Sequence, residues 1–259
     1  MQTWIWFILA STVLGAIALL FKKKALVNEH TAEYLTAFKI TELLLVLIFA
    51  PFIVFKIPLV IAAFIFLISL TTAVALTFIA RSYRHSDLSA VVPLTNLMPL
   101  FVVILAFFLL GEQISSKHIV GIGFLIFGTY FLEAEHKAGH WFSPFVKIFK
   151  TPNMGFLFFG FFLSAVIGIG EKFIIGIVSP FTLIFYHYCF QTFCFLMITL
   201  VFYGGFKDVV YAYKSSGKWI LGNAFFANLS NLAYFFAISM TFISLVALLN
   251  VSQHYLQLY

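Results

Sequence analysis

Residues 88–132 read LSAVVPLTNLMPLFVVILAFFLLGEQISSKHIVGIGFLIFGTYFL, and this stretch decides the fold class. It consists of two apolar runs, at 88–110 and 117–132, joined by a short polar segment that begins at Gly111-Glu112. About 20 apolar residues in succession are enough for a helix to cross a bilayer. The stretch therefore predicts two membrane-spanning helices with a short turn between them.

The whole chain has the composition of a polytopic membrane protein. Of its 259 residues, 63% are hydrophobic and only 9% are charged, whereas soluble domains contain about 25% charged residues. Apolar runs fall at 2–21, 34–55, 57–80, 88–110, 117–132, 154–175, 180–203, 219–242 and 245–259. We predict an all-α polytopic membrane protein with about nine transmembrane helices. Outer-membrane barrels are excluded, because their strands alternate apolar and polar residues over segments of about 10 residues.

The sequence also predicts a duplicated body. A connecting segment at 133–153 mixes aromatic residues with lysines, as segments at a membrane interface do. Residues on either side of it match at constant intervals: Lys23, Lys39 and Glu42 with Lys172, Tyr188 and Gln191, and Ala80, Ser82, Leu88 and Ala90 with Ala237, Ser239, Leu245 and Ala247. Five helices per copy place the second copy upside down in the membrane.

We therefore predict two inverted five-helix repeats, the first at 1–132 and the second, incomplete, at 154–259. The second repeat lacks about 30 residues that the first one has, so we expect a truncated product. A native nine-helix chain is the alternative.

The fourth and fifth predicted helices resemble a known family of transporters. The resemblance lies in Asp87-Leu88-Ser89-Ala90, Pro99-Leu100-Phe101, Leu110-Gly111-Glu112, Gly121 and Gly128. These residues are similar to the recurring pattern of EamA-type ten-helix permeases in the drug/metabolite transporter superfamily. The resemblance implies two inverted repeats around a central cavity, and transport of small metabolites, amino acids, nucleotide-linked compounds or drugs by alternating access. The second copy departs from the pattern, because Leu256 stands where its proline is expected.

We accordingly expect a secondary transporter in the cell membrane, with a small-molecule substrate, the lipid bilayer and a coupling proton or counter-substrate as its partners. A lipid-linked-sugar flippase, an accessory membrane subunit and a non-functional truncated transporter are the alternatives.

The sequence has no phosphate loop, nucleophile elbow or zinc-type histidine spacing, so we expect no enzyme, no cofactor and no metal. Its net charge of +6 comes from scattered basic residues, which are typical of topology signals rather than of a nucleic-acid surface.

Polar residues inside the predicted spans are the candidate substrate-binding residues. Lys39 and Glu42 lie three apart on the second helix and so share a face, and each would cost about 2.5–3.5 kcal/mol if it faced lipid at mid-depth. They form either a buried pair that holds the helices in register, or part of a cavity wall that binds an anionic group and a proton or cation. Their counterparts Tyr188 and Gln191, with His187 beside them, supply hydrogen bonds without fixed charge. A single histidine is more typical of an interhelical hydrogen bond than of a proton relay.

Polar residues on two more helices complete this set. Asn228, Asn231 and Tyr234 form a stripe on the eighth helix, which either lines a cavity or joins helices. Asn96 lies between Pro93 and Pro99, where a kink would expose backbone carbonyls. On the ninth helix a further polar face is formed by Asn250, Gln253, His254 and Gln257.

Other residues at the helix ends and contacts are predicted to be structural. Glu112 is expected to cap or pair at the short turn to the fifth helix, near Lys117. Glycines on the fifth and sixth helices are expected to allow close helix contact, namely Gly121, Gly123, Gly128, Gly155, Gly160, Gly168 and Gly170.

The basic residues predict an orientation. Lysine and arginine are concentrated in the connections that follow the first, third, fifth and seventh helices. By the positive-inside rule these connections are cytoplasmic, which puts the amino terminus outside. The EamA-type permeases that the chain resembles usually keep both termini in the cytoplasm.

Overall fold

The computed structural model describes residues 3–26, 31–85, 97–134, 154–202 and 205–249. Within these residues the chain forms nine α-helices, one 3₁₀ helix and no β-strand, which confirms the predicted all-α class. The α-helices are α1 (Thr3–Leu26), α2 (Thr31–Val46), α3 (Leu59–His85), α4 (Met98–Leu110), α5 (Ser116–Ala134), α6 (Met154–Ile175), α7 (Pro180–Phe202), α8 (Phe206–Met240) and α9 (Ile243–Leu249).

Several of these helices are long and apolar enough to cross a membrane. Among the described residues, five segments meet that criterion: Thr3–Lys22, Glu33–Phe52, Leu59–Leu76, Gly155–Ile175 and Pro180–Phe202. Two shorter apolar stretches, Met98–Leu110 and His118–Phe127, lie on α4 and α5. The chain is a polytopic integral membrane protein.

The second helix ends earlier than predicted. α2 stops at Val46 and continues as the 3₁₀ helix Leu47–Phe52, after which Ile53 has an extended backbone conformation. Pro51 lies inside the 3₁₀ helix. Because proline has no N–H to donate and disfavours a helical conformation at the residue before it, an α-helix does not extend to residue 55.

The eighth helix begins earlier than predicted. α8 starts at Phe206, well before the predicted start at 219, and is 35 residues long. Its first turns carry Lys207, Lys214 and Lys218, which an apolar pattern leaves out but which have high helix propensity. Apolarity therefore predicted the membrane part of α8 and missed its polar extension.

Some predictions fall outside the described residues. These are Asp87–Ala90 of the family pattern, Pro93, Asn96, the polar face of the ninth helix beyond Leu249, and the connecting segment after Ala134.

The described chain divides into two compact units, and each contains segments from both sequence halves. Unit 1 takes in the described residues of Met1–Ala73 and Glu171–Met240. Unit 2 takes in those of Val74–Gly170 and Thr241–Leu258. The boundaries lie within α3 and α6, so each of these helices contributes to both units.

Unit 1 is built around α8. This helix packs along α1 and α2, and α2 packs against α7. Small side chains at the contacts, such as the fully buried Ala25, Ala37 and Ala212, allow the helix backbones to approach closely. Between α1 and α8, Ser230 Oγ donates a hydrogen bond to the Ser11 carbonyl at 2.7 Å.

Unit 2 is built from α4, α5 and α9 together with parts of α3 and α6. Its apolar cluster consists of Ile79 from α3, Met98 from α4, and Leu157 and Phe161 from α6. α9 packs against both α4 and α5.

The predicted close-contact role of the glycines is correct at some positions and wrong at others. A Cβ atom added at Gly160 would collide with Ile79, and at Gly121 and Gly168 it would lie 3.1 Å from Leu248 and 3.3 Å from Ile243. At Gly123 and Gly155 it would meet nothing within 4 Å. Those two glycines face open space, because they lie on the helix sides turned away from the neighbouring helices.

Glu112 is structural, as predicted, and its described partners lie at the start of α9. Gly111 ends α4 with a left-handed φ of 65°, which turns the chain sharply. The Glu112 carboxylate then accepts hydrogen bonds from the backbone N–H of Ile243, at 2.8 Å, and of Ser244, at 3.1 Å. It thus caps the amino end of α9, whose first N–H groups have no partner within the helix.

A histidine extends this cap. The Ser115 backbone N–H donates to His118 Nδ1 at 3.0 Å, so the ring proton is on Nε2. Nε2 donates in turn to Ser244 Oγ at 2.8 Å, and that hydroxyl donates to Glu112. The start of α5 and the start of α9 are therefore joined by a continuous chain of hydrogen bonds.

Candidate functional site

A buried ion pair lies on α2. Lys39 Nζ donates to Glu42 Oε2 at 2.7 Å, and only 12% of the lysine side chain and 1% of the glutamate side chain are exposed. The three-residue spacing places both side chains on one helix face, as predicted. Since removing charges from water costs several kcal/mol per ion, each charge in such a pair needs additional close partners.

α7 supplies those partners. The ring of Tyr188 lies 5.4 Å from Lys39 Nζ, so its face attracts the cation. The hydroxyl of the same tyrosine lies close enough to the Glu42 carboxylate for the two groups to interact electrostatically. Thr192 Oγ1 donates to the Lys39 carbonyl at 3.0 Å. Both charges of the pair are thus held against α7.

α8 closes the cluster with two amides. Asn231 Nδ2 donates to the Tyr188 hydroxyl at 2.8 Å. Asn228 Nδ2 donates to the carbonyls of Ala224, at 2.9 Å, and Glu42, at 3.3 Å. Among the described residues, Asn228 Oδ1 has no hydrogen-bond partner although it is buried. We call Lys39, Glu42, Tyr188, Asn228 and Asn231 the lysine site.

A second polar cluster lies where the end of α6 meets α7. His187 Nδ1 lies 3.7 Å from Glu171 Oε1, and His187 Nε2 lies 2.5 Å from Gln191 Nε2. His187 Nδ1 and Gln191 Oε1 are buried and have no hydrogen-bond partner within the described chain. We call Glu171, His187 and Gln191 the carboxylate site.

The interhelical hydrogen bond expected for His187 does not occur among the described residues. Its hydrogen bond to Gln191 lies within α7, one turn along the helix. The Glu171 carboxylate, on α6, lies 3.7 Å from His187 Nδ1, beyond hydrogen-bonding distance. The prediction was wrong because sequence could not show which face of α7 meets which helix.

The predicted substrate-binding residues on α2, α7 and α8 all lie in unit 1, in or beside these two sites. Tyr234 lies close enough to Glu171 for the two side chains to interact electrostatically. Asn96 is outside the described residues. The role of these residues in substrate binding stays a prediction.

Sequence reasoning missed two buried charged residues. Glu171 interrupts the apolar run at 154–175, so the argument used for Lys39 would have found it. Lys22 was placed in a loop, but α1 continues to Leu26, and the lysine is buried within electrostatic range of Lys39 and Glu42. No group of three His, Cys, Asp or Glu side chains suited to a metal ion occurs among the described residues.

Comparisons with known proteins show which family and which fold the chain resembles. The family model described as the EamA-like transporter family matches residues 2–133, which is half of the chain. A protein of known crystal structure is similar in fold, with a TM-score of 0.70 and 15% identity over 99% of this chain and 86% of that chain. No curated protein matches the sequence.

Proposed function

Because the chain belongs to the EamA-like transporter family, we propose that it is a secondary transporter of small metabolites or drugs. It moves them across the cell membrane by alternating access, and the lysine site binds the substrate. Its partners are the small-molecule substrate, the surrounding lipid bilayer and a coupling ion or counter-substrate.

The single observation that carries this proposal is the composition of the lysine site. Three apolar helices converge on a buried ammonium, a carboxylate, a phenol and two amides. Ionisable groups inside membrane segments are costly and mark substrate or ion pathways. A site that only joined helices would satisfy all its polar atoms, whereas Asn228 Oδ1 has no donor within the described residues.

The donors and acceptors of the lysine site indicate a class of substrate. An ammonium presents three N–H donors, and Lys39 commits one of them to Glu42, so Lys39 is suited to an anionic group. Asn228 Oδ1 is suited to an N–H or O–H donor. We infer that the substrate is a small polar molecule that carries both an anionic group and a hydrogen-bond donor.

The proposed inverted repeats at 1–132 and 154–259 are supported by reciprocal helix contacts. In unit 1, the first helix of the first copy packs on the third helix of the second copy, α1 on α8. In unit 2, the third helix of the first copy packs on the first helix of the second, α3 on α6. A two-fold relation between the copies requires these contacts to occur as a matched pair. It is also the arrangement from which alternating access arises in inverted-repeat transporters.

Uptake into proteoliposomes tests the proposal. A thermal-shift screen of the purified protein against amino acids, nucleotides, organic anions and a lipid-linked sugar first selects a compound, since a ligand of the native state raises the melting temperature. We expect Lys39→Ala to lower the uptake of that compound at least about tenfold, which corresponds to the loss of about 1.4 kcal/mol of binding. Lys56→Ala is the matched control, because Lys56 is an exposed lysine, and it should transport normally.

A double variant separates loss of transport from loss of folding. Removing one member of a buried ion pair lowers the free energy of unfolding by about 3–5 kcal/mol, whereas replacing both members with apolar side chains often leaves it unchanged or raises it. We expect Lys39→Met with Glu42→Leu to fold as stably as the unchanged protein and to transport nothing. Normal uptake by this double variant would contradict the proposal, and binding of a lipid-linked sugar in the screen would favour a flippase instead.

A further inference from the structure

Three buried carboxylates among the described residues differ in how well their negative charge is satisfied. Glu42 is paired with Lys39 at 2.7 Å. Glu112 accepts two backbone N–H bonds and a hydroxyl bond at α9. Glu171 has no hydrogen-bond donor among the described residues, although only 12% of its side chain is exposed. An unpaired carboxylate away from water takes up a proton rather than remain charged.

Among the described residues, His187 is a partner with which Glu171 could exchange that proton. On the helix of Glu171, Lys172 donates to the Ile238 carbonyl of α8. Tyr188 and Tyr234 are close enough to interact with the carboxylate electrostatically. His187 Nδ1, a titratable nitrogen, lies 3.7 Å from Glu171 Oε1. A movement of about 1 Å would bring the two atoms within hydrogen-bonding distance.

Gln191 allows the imidazole to change its protonation state. An amide NH₂ can only donate, so the contact with Gln191 Nε2 makes His187 Nε2 an acceptor and places the ring proton on Nδ1. Half a turn of the amide exchanges its nitrogen and oxygen. Gln191 Oε1, which has no donor in the described chain, would then accept a hydrogen bond from a protonated Nε2.

The carboxylate site is coupled to the lysine site through α7. His187 precedes Tyr188 of the lysine site, and it lies within electrostatic range of Lys39. A proton bound at Glu171 or His187 adds one positive charge near Lys39, so it favours binding of an anionic group there. By linkage, an anionic substrate favours binding of the proton to the same degree.

We propose that Glu171 and His187 form the proton-binding site of a symporter, in which one proton and one anionic substrate cross the membrane together. The proposal rests on the transport function proposed above. The proton enters from water on one side, resides on the Glu171 carboxylate with His187 as its exchange partner, and leaves to water on the other side. No other atom or electron is transferred.

Infrared spectroscopy of the purified full chain tests proton binding without any substrate. Above about pH 6 exposed carboxyl groups are ionised, so we expect a carboxylic-acid carbonyl band that remains there, disappears as the pH is raised further, and is absent from Glu171→Gln over that range. Glu33→Gln, which removes a carboxylate from the first turn of α2, should keep the band. Glu171→Asp and His187→Asn should each keep it and shift the pH at which half of its intensity is lost. A band that titrates above about pH 6 and persists in Glu171→Gln would overturn the proposal, and so would the absence of such a band from the unchanged protein.

Transport by vesicles tests the coupling, with the compound selected by thermal shift as the probe. Exchange of that compound at equal pH on both sides needs no net proton movement, so Glu171→Gln should retain exchange and lose uptake driven by a pH gradient. The coupling would be overturned if Glu171→Gln retained both exchange and gradient-driven uptake. It would also be overturned if the variant lost both while its gel-filtration profile and melting temperature stayed normal. If the unchanged protein shows the titrating band but no exchange, the proton site stands and the transport function fails.

Discussion

At the scale of single residues, the donors around a buried carboxylate determine what it can do. Glu112 is surrounded by groups that can only donate to it, two N–H groups of α9 and the Ser244 hydroxyl. Its charge is therefore satisfied in place, and it acts as a cap between distant segments of the chain. The Leu110-Gly111-Glu112 pattern is thus explained by structure: the glycine makes the turn and the glutamate holds α9.

Removing the Glu112 cap should destabilise the protein. Glu112→Ala leaves two N–H groups and one hydroxyl without an acceptor, and we expect a loss of about 0.5–2 kcal/mol in the free energy of unfolding. Glu112→Gln keeps one acceptor oxygen and should lose less. Chemical denaturation of the purified protein measures both values. Gln113→Ala, at an exposed neighbouring position, should change the free energy of unfolding by less than about 0.5 kcal/mol. An unchanged free energy of unfolding for Glu112→Ala would contradict the capping role.

Whether a residue contact can be predicted from sequence depends on whether both partners lie on the same helix. The Lys39–Glu42 pair follows from sequence, because the geometry of one helix fixes residues three apart on one face. The partners of Glu112 and Glu171 lie on other helices, α9 and α7, and depend on how those helices rotate and pack. No local pattern carries that information, so Glu112 was assigned the nearby Lys117 and Glu171 was overlooked.

At the scale of elements, close contact between helices depends on residues without side chains. On α6, Gly160 lies against Ile79 of α3, and on α8, Gly222 lies against the ring of Phe21 on α1. In both places a Cβ atom would overlap the neighbouring side chain. These two contacts belong to the α3–α6 and α1–α8 pairings, in which each proposed repeat contributes one helix.

Filling the space at Gly160 should weaken the α3–α6 contact. We expect Gly160→Ala to lower the free energy of unfolding by about 1–3 kcal/mol, the usual cost of overpacking. Gly123→Ala is the matched control, because a Cβ there meets nothing within 4 Å. It should stabilise α5 by about 0.5–1 kcal/mol, since glycine is a poor helix former. Equal effects of the two substitutions in thermal denaturation would show that Gly160 is not a packing position.

The helices themselves were largely predictable, whereas their ends were not. Runs of about 20 apolar residues predict membrane helices because the lipid leaves no other way to satisfy backbone groups. The end of α2 depends on Pro51 and the start of α8 on a polar, lysine-rich extension. Hydrophobicity measures neither effect. Glycine patterns likewise showed that close contacts occur but not which glycine makes them.

At the scale of the whole molecule, the two units are each assembled from both sequence halves. This organisation follows from the exchange of helices between the proposed copies, α1 onto α8 and α3 onto α6. The repeat stays a prediction from matching residues. The pairing of α1 with α8 and of α3 with α6 could not be predicted from it, because a repeat indicates which helices are equivalent but not which ones touch.

Basic residues at one end of unit 1 lead to a prediction about orientation. Lys24, near the end of α1, lies 4.5 Å from the ring of Trp219, and Lys218 lies 4.9 Å from the same ring. The end of α1 therefore lies beside the lysine-rich first part of α8 in this unit. Tryptophan flanked by lysines is typical of a membrane interface, and the positive-inside rule makes that interface cytoplasmic.

We therefore expect the amino terminus outside the cell and the lysine-rich end inside. Lys214→Cys, in a background with Cys189→Ala and Cys194→Ala, puts a thiol on an exposed position of α8. A membrane-impermeant maleimide should label it only after the cells are permeabilised, whereas a tag before Met1 should be accessible to antibody on intact cells. The reverse result would contradict the positive-inside prediction. A cytoplasmic amino terminus, as in the ten-helix permeases, would give that reverse result, because α1 separates the tag from the lysine-rich end. If neither probe reacted before permeabilisation, the protein would lie in an internal membrane, which labelling in a fractionated membrane sample would check.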